Sequence, residues 1–168
     1  MPHIFDHEPS AQEVFDQACV FFATSEGPSA IPSTRNCAGY ECVYRRDDGR
    51  VCVAGYFLPD ESYDPDMDDP ESSSDGSDVH ALVKHYGDQI PSWFGQHVEL
   101  LKQLQQIHDN EFHWTADHAW NYAELIRDLD VVADDNGLTK VAIDQVRAKV
   151  PKPEFTAADE QLLRELDQ

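Results

Sequence analysis

Positive charge is what this chain lacks. Its 168 residues hold 12 Lys and Arg against 33 Asp and Glu, a formal net charge of −21. Such a field repels DNA, RNA and anionic membranes and attracts basic surfaces or cations. Also missing is any run of about eighteen apolar residues, so no membrane span is expected. No basic start followed by an apolar stretch opens the chain, so no secretory signal is expected and the compartment is read as cytoplasmic. Cysteine is scarce and one-sided: Cys19, Cys37, Cys42 and Cys52 leave the last two thirds without any. That is no disulfide framework, and free thiols are expected. Cys37 and Cys42 are spaced C-x4-C and with Cys52 could offer three zinc ligands, but without a C-x2-C pair no metal site is assigned. There is no Gly-rich phosphate loop. Ser33, Ser72, Ser73 and Ser74 lack the strand–elbow–helix setting of a nucleophilic serine.

What is present suffices for a core. Hydrophobic residues make up 40% of the chain, with 3 Trp, 6 Tyr and 8 Phe, which argues against disorder for most of it. The acids are unevenly spread. Residues 60–78 carry 9 acids and no base, whereas residues 137–168 carry 6 acids and 5 bases. The anionic field therefore comes from the middle of the chain.

Ser10-Ala-Gln-Glu13 is a capping box, and Val14, Phe15, Ala18, Phe21 and Phe22 behind it recur at helical spacing. This predicts a helix over 11–24, ended by Gly27-Pro28. A hairpin is expected over about 42–57, because Asp47-Asp48-Gly49 supplies a tight turn between β-branched and aromatic flanks. Residues 59–78, with three prolines and five serines, read as an extended acidic loop. Helices are expected at 79–86, from Ser92 to about Glu111, from Thr115 to about Asp135 with a C-cap at Asn136-Gly137, and over 138–150. After the Pro151-Lys-Pro153 break, a last helix is expected from Thr156 within 151–168. The fold class is α+β, a mostly helical single domain over 1–150 with one small hairpin.

Several blocks follow in order: Cys42-Val-Tyr-Arg45, Gly49-Arg-Val-Cys52-Val-Ala-Gly55, Leu58-Pro-Asp-Glu61 and Tyr63-Asp-Pro65. With Gln12-Glu-Val-Phe15 and Leu104-Gln-Gln-Ile-His108-Asp109 they resemble, over roughly residues 11–138, a group of short proteins encoded by tailed phages and prophages. That group has no assigned activity. The resemblance implies a phage accessory protein, for which counter-defence is one common role. Two departures stand out: Tyr56 occupies the place of an expected second cysteine, and Asp68-Asp69 leads into an acidic insert in place of a Glu-Gly turn.

Four constellations carry candidate chemistry. Asp64-Pro-Asp66-Met-Asp68 has the spacing with which calcium loops begin, but Asp69 stands where the turn needs glycine and Asp75 where a bidentate Glu belongs. His108-Asp109 is the pair used by HD-type metal phosphohydrolases, with His85 and Asp128 or Asp130 as possible completing ligands; a histidine at the core edge is the plainer reading. Arg45-Arg46 and Arg50 form a basic tip that binds an anion or pairs with the acidic loop. Finally, the carboxylates themselves form a surface that can occupy a basic cleft as nucleic acid would. Asp117, Glu124, Asp128 and Asp135 are spaced to share a helix face. The plain alternative is a solvated acidic face.

The favoured expectation is a non-enzymatic acidic protein that binds and inhibits a basic-surfaced host protein. Its partner surface is Asp64, Asp66, Asp68, Asp69, Glu71, Glu124, Asp128, Asp134 and Asp135. No catalytic residue, metal ligand or cofactor is assigned, and no direct nucleic-acid or membrane partner. The alternatives are a metal-dependent phosphohydrolase-like enzyme and a small-ligand-binding protein.

Overall fold

Ser10 starts the first helix as its local chemistry dictates. The Ser10 N–H donates to Glu13 Oε2 at 2.8 Å, and the Glu13 N–H donates to Ser10 Oγ at 3.3 Å. Helix α1 then runs Ala11–Thr24 and turns Val14, Phe15, Ala18, Cys19, Phe21 and Phe22 inward. The computed structural model describes residues 3–32, 40–68 and 78–151. The expected C-terminal helix, from Thr156 onward, lies outside them.

The two-stranded ribbon is real but is not where the Asp-Gly turn predicts it. Strand β1 (Ala30–Pro32) pairs antiparallel with β2 (Tyr40–Cys42), Ala30 opposite Cys42. The turn at Gly49 does form, with a left-handed φ of +89°, but it holds only an isolated bridge between Arg45 and Val51. From Cys52 the chain becomes helical, as α2 (Val53–Phe57), with Cys52 Sγ accepting the Gly55 N–H at 3.3 Å. The reason is burial. A strand would hide alternate residues only, whereas the helix hides Val53, Ala54, Phe57 and Leu58 together. Each large apolar side chain buried contributes about 1.5–3 kcal/mol, more than the ~1 kcal/mol net of a ladder hydrogen bond. Gly55 permits the packing: a Cβ there would stand 2.0 Å from the Tyr44 carbonyl oxygen.

The acidic stretch, as far as it is described, is two single 3₁₀ turns, Asp60–Ser62 and Pro65–Asp68, pinned by buried Met67. Helix α3 (Val79–Tyr86) matches expectation and is capped by Asp78, whose Oδ1 accepts the His80 N–H. The helix expected from Ser92 divides at His97 into α4 (Trp93–Gln96) and α5 (Val98–Asp109). His97 Nε2 bonds the Pro9 carbonyl at 2.8 Å, which ties the break to the segment leading into α1. The break lets Trp93 and Phe94 both enter the core.

Helix α6 (Tyr122–Asp135) starts later than expected. Residues 115–119 instead close a tight turn between bridged Trp114 and Trp120, with Thr115 N–H donating to Ala119 O at 2.8 Å. His118 takes a left-handed φ of 58° there and is held by the Tyr40 hydroxyl at 3.1 Å. Helix α6 ends at Asn136-Gly137 as expected, the Leu138 N–H reaching the Ala133 carbonyl at 2.8 Å. Within 138–150 only α7 (Ile143–Arg147) is α-helical.

The fold class stands: a mostly helical α+β arrangement, with a single antiparallel ribbon among the described residues. One core joins α1 to all the later helices, with Phe22 edge-on to Trp120 at 5.4 Å. No helix among the described residues is long and apolar enough to cross a membrane.

Candidate functional site

The basic tip spends itself on the chain's own acceptors. Arg45 forms an ion pair with Asp60 at 2.6 Å, donates to the Leu58 carbonyl, and lies 4.5 Å from the centroid of the Tyr63 ring. Arg46 donates to the Ala30 carbonyl and pairs with Asp48, which Arg50 also pairs with. On the helical side, Arg127 takes Glu124 and Asp128, while Arg147 takes Asp130 and Asp144. Lys140 reaches Asp134 at 2.8 Å. Each described arginine is thus engaged internally, and the surplus of charge left outward is anionic.

The nine carboxylates assigned to a partner surface do not form one patch of equals. Asp69 and Glu71 lie outside the described residues. Asp68 turns inward: it accepts the backbone N–H groups of Tyr44 and Arg45 and the Tyr63 hydroxyl. Burial raises its carboxyl above the ordinary range, against the pull of those hydrogen bonds. It is a structural clasp between the acidic turn and the chain after β2, and it takes the third carboxylate out of the calcium-type spacing. Asp64 caps its own turn by accepting the Asp66 N–H at 3.0 Å. Asp66 is exposed. Glu124 and Asp134 are neutralised by Arg127 and Lys140. Asp117 does not share the α6 face, because it lies in the turn before that helix and accepts from the Thr115 hydroxyl. Glu124, Asp128 and Asp135 do lie on α6.

Asp128 is more than a surface charge. Its Oδ2 is 3.0 Å from Nε2 of His113, a fully buried ring whose Nδ1–H donates to the Ile107 carbonyl at 2.6 Å. Both ring nitrogens therefore face oxygen acceptors.

The His108-Asp109 pair meets an unexpected third group, Cys42. One ligand-type atom from each lies within 4.8 Å of the others. His85, Asp128 and Asp130 do not join them, so the alternative metallohydrolase set does not assemble among the described residues. The hydrogen-bond wiring also opposes a metal. His108 is fully buried, and its Nε2 accepts the Ser29 backbone N–H at 3.0 Å, which leaves Nδ1 to carry the proton donated to Asp109 at 2.8 Å. A cation on Nδ1 would have to displace that proton while Nε2 goes on accepting, a demand neutral imidazole cannot meet. Asp109 also accepts from Gln105 Nε2 at 2.7 Å, and Gln105 Oε1 accepts the Ala54 N–H. This chain of bonds satisfies buried groups and ties α5 to α2 and to the segment entering β1. Cys42 is no nucleophile here, because burial and the Asp109 charge push its thiol up, away from the thiolate.

Two open clefts lie among the described residues. One, of about 430 Å³, lies between the end of α1 and the Gly49 turn, with Phe21 and Tyr56 on its floor and Arg50 at its rim. The other, of about 410 Å³, runs between α5 and α6 and is lined by Gln103, Gln106, Ile107, Asn110, Val131 and Asp135, with the His113–Asp128 pair behind them. Neither was legible as a site, since each joins residues from elements distant in sequence. No protein-family model matches this chain, and neither a curated protein nor a solved structure matches it.

Proposed function

We propose that this chain is an acidic accessory protein of phage type. In this reading it acts in the host cytoplasm by binding and inhibiting a protein whose own surface is basic. A nucleic-acid-handling enzyme or a defence component meets that requirement, because its cleft is built to receive phosphates and would accept carboxylates in their place. The observation that carries the reading is the fate of the basic side chains. Every described arginine is paired with a carboxylate of the chain itself, and with a net charge of −21 the carboxylates left over far outnumber the remaining bases. The ribbon-and-helix blocks that resemble phage proteins supply the genetic setting.

The test is capture of host proteins on the immobilised chain, followed by a salt gradient. At ~0.1 M salt the screening length is about 10 Å, and at ~1 M about 3 Å. A nucleic-acid-binding protein released steeply across that range supports charge-led inhibition. Binding that ignores salt overturns it.

A small-ligand reading rests on the cleft beside Arg50, where Phe21 and Tyr56 lie next to the Arg50–Asp48 ion pair and Glu26. It predicts a rise in melting temperature on adding a nucleotide.

A further inference from the structure

The groove between α5 and α6 differs in kind from the rest of the acidic exterior. Its floor is apolar, made by Ile107 and by Val131, which is 51% exposed although it is a large aliphatic residue on an otherwise charged helix face. Around that floor stand the carboxamides of Gln103, Gln106 and Asn110 and one free carboxylate, Asp135; Gln103 Oε1 already accepts from Asn136 Nδ2 and Asn110 Oδ1 from the Phe112 N–H, which leaves Gln106 as the open neutral acceptor among the described residues. Within the described residues nothing pairs with Asp135, whereas Asp128 behind it is committed to His113 and Arg127. No lysine or arginine among the described residues lines the groove. Asp128, Val131 and Asp135 follow at spacings of three and four, so they form one stripe along α6.

We propose that this groove receives an arginine side chain of the basic partner, a deepening that rests on the proposed function. The aliphatic stem lies on Ile107 and Val131, and the guanidinium reaches Asp135 and the Gln106 carboxamide oxygen. Charge complementarity selects a cation. The lining then selects among cations. A guanidinium offers five N–H donors in a plane and is weakly hydrated, so it can bond a carboxylate and a neutral acceptor together while resting on an apolar floor. An ammonium offers three donors, holds its water more tightly and gains less from carboxamides. A second copy of this chain is a poor occupant, because two bodies each carrying −21 repel.

The experiment uses the full chain labelled with ¹⁵N and titrated with tri-arginine, tri-lysine and triglycine peptides at low salt. Amide shifts concentrated at residues 103–110 and 128–135, saturating at lower concentration with tri-arginine than with tri-lysine, are the expected result. Asp135→Asn should weaken the tri-arginine response about five-fold, and Val131→Lys should abolish it, with both exposed substitutions leaving the rest of the spectrum in place. Equal responses to the two cations, or shifts scattered over the whole acidic surface, overturn the proposal. If a captured basic partner binds Asp135→Asn and Val131→Lys as tightly as it binds the parent chain, the groove assignment fails while the charge-led function stands. If no basic protein is captured but tri-arginine still maps to the groove, the function fails and the groove stands.

Discussion

Nε2 of His113 and Oδ2 of Asp128 meet at 3.0 Å, joining the segment after α5 to the middle of α6 through a ring that is fully buried. Replacing Asp128 by Ala leaves a buried imidazole nitrogen without its partner. We expect a loss of about 1–3 kcal/mol in urea unfolding, reduced from the fully buried case because the carboxylate is itself about a third exposed. Asp128→Asn should recover most of it, since the amide can donate to a ring protonated only on Nδ1. Asp135→Ala, on the same helix face but unpaired, should stay within about 0.5 kcal/mol. Equal costs at the two positions would remove the distinction between clasp and surface charge.

The thiols should be quiet. Burial, helped by the Asp16 charge, pushes Cys19 up to about 12, and burial likewise pushes Cys52 up. In a Cys37→Ser background, alkylation at pH 8 should run about 100-fold slower in the native protein than in denaturant for Cys19, Cys42 and Cys52. Rapid labelling of Cys42 would contradict the burial and the neighbouring Asp109 charge that keep its thiol protonated. Zinc added to the native protein should leave the His108 ring signals unmoved, with the proton on Nδ1.

Acid should weaken the start of α1. The Ser10 backbone amide and hydroxyl hold Glu13 down to about 2 from an ordinary 4.5, with His7 adding to the effect. A depressed carboxyl stabilises the fold above its unfolded value and loses that contribution as pH falls through the folded one. The melting temperature should therefore drop between pH 4.5 and about 2, and Glu13→Gln, which can still accept from Ser10, should flatten that part of the profile. His7, raised from 6.5 by hydrogen bonds to Asp6 and Glu13, works in the opposite sense. Its contribution is complete below 6.5 and fades as pH climbs through the raised value.

Local chemistry was legible and distant chemistry was not. The α1 box, the short helix at 79–86 and the Asn136-Gly137 stop each depend on neighbours within one or two turns, and all three formed. The Gly49 turn was also legible, but the strands around it were not. Burying Val53 and Phe57 together decided that segment, and only the assembled core holds that information. The break at His97 depends on the Pro9 carbonyl, far away in sequence. Cys42 and the His108-Asp109 pair each looked weak alone, and nothing in their spacing announces that they meet. Asp68 was read as one acid among many because composition does not show which carboxylate will find backbone amides.

Asp68 therefore makes the sharpest separation between charge and structure. Removal of its carboxylate by Asp68→Ala strands the N–H groups of Tyr44 and Arg45 and the Tyr63 hydroxyl, an expected cost of about 2–4 kcal/mol. Because burial raises this carboxyl, the protonated form is favoured in the fold. Its contribution is complete at pH below the ordinary 3.8 and declines as pH rises through the raised folded value. Asp68→Asn carries no ionisation cost and keeps one acceptor oxygen, so it should be hurt less than Asp68→Ala and should lack the decline seen in the parent chain. Neither variant should weaken a salt-sensitive partner once stability is restored at low temperature. Loss of partner binding by folded Asp68→Asn would return this residue to the interface.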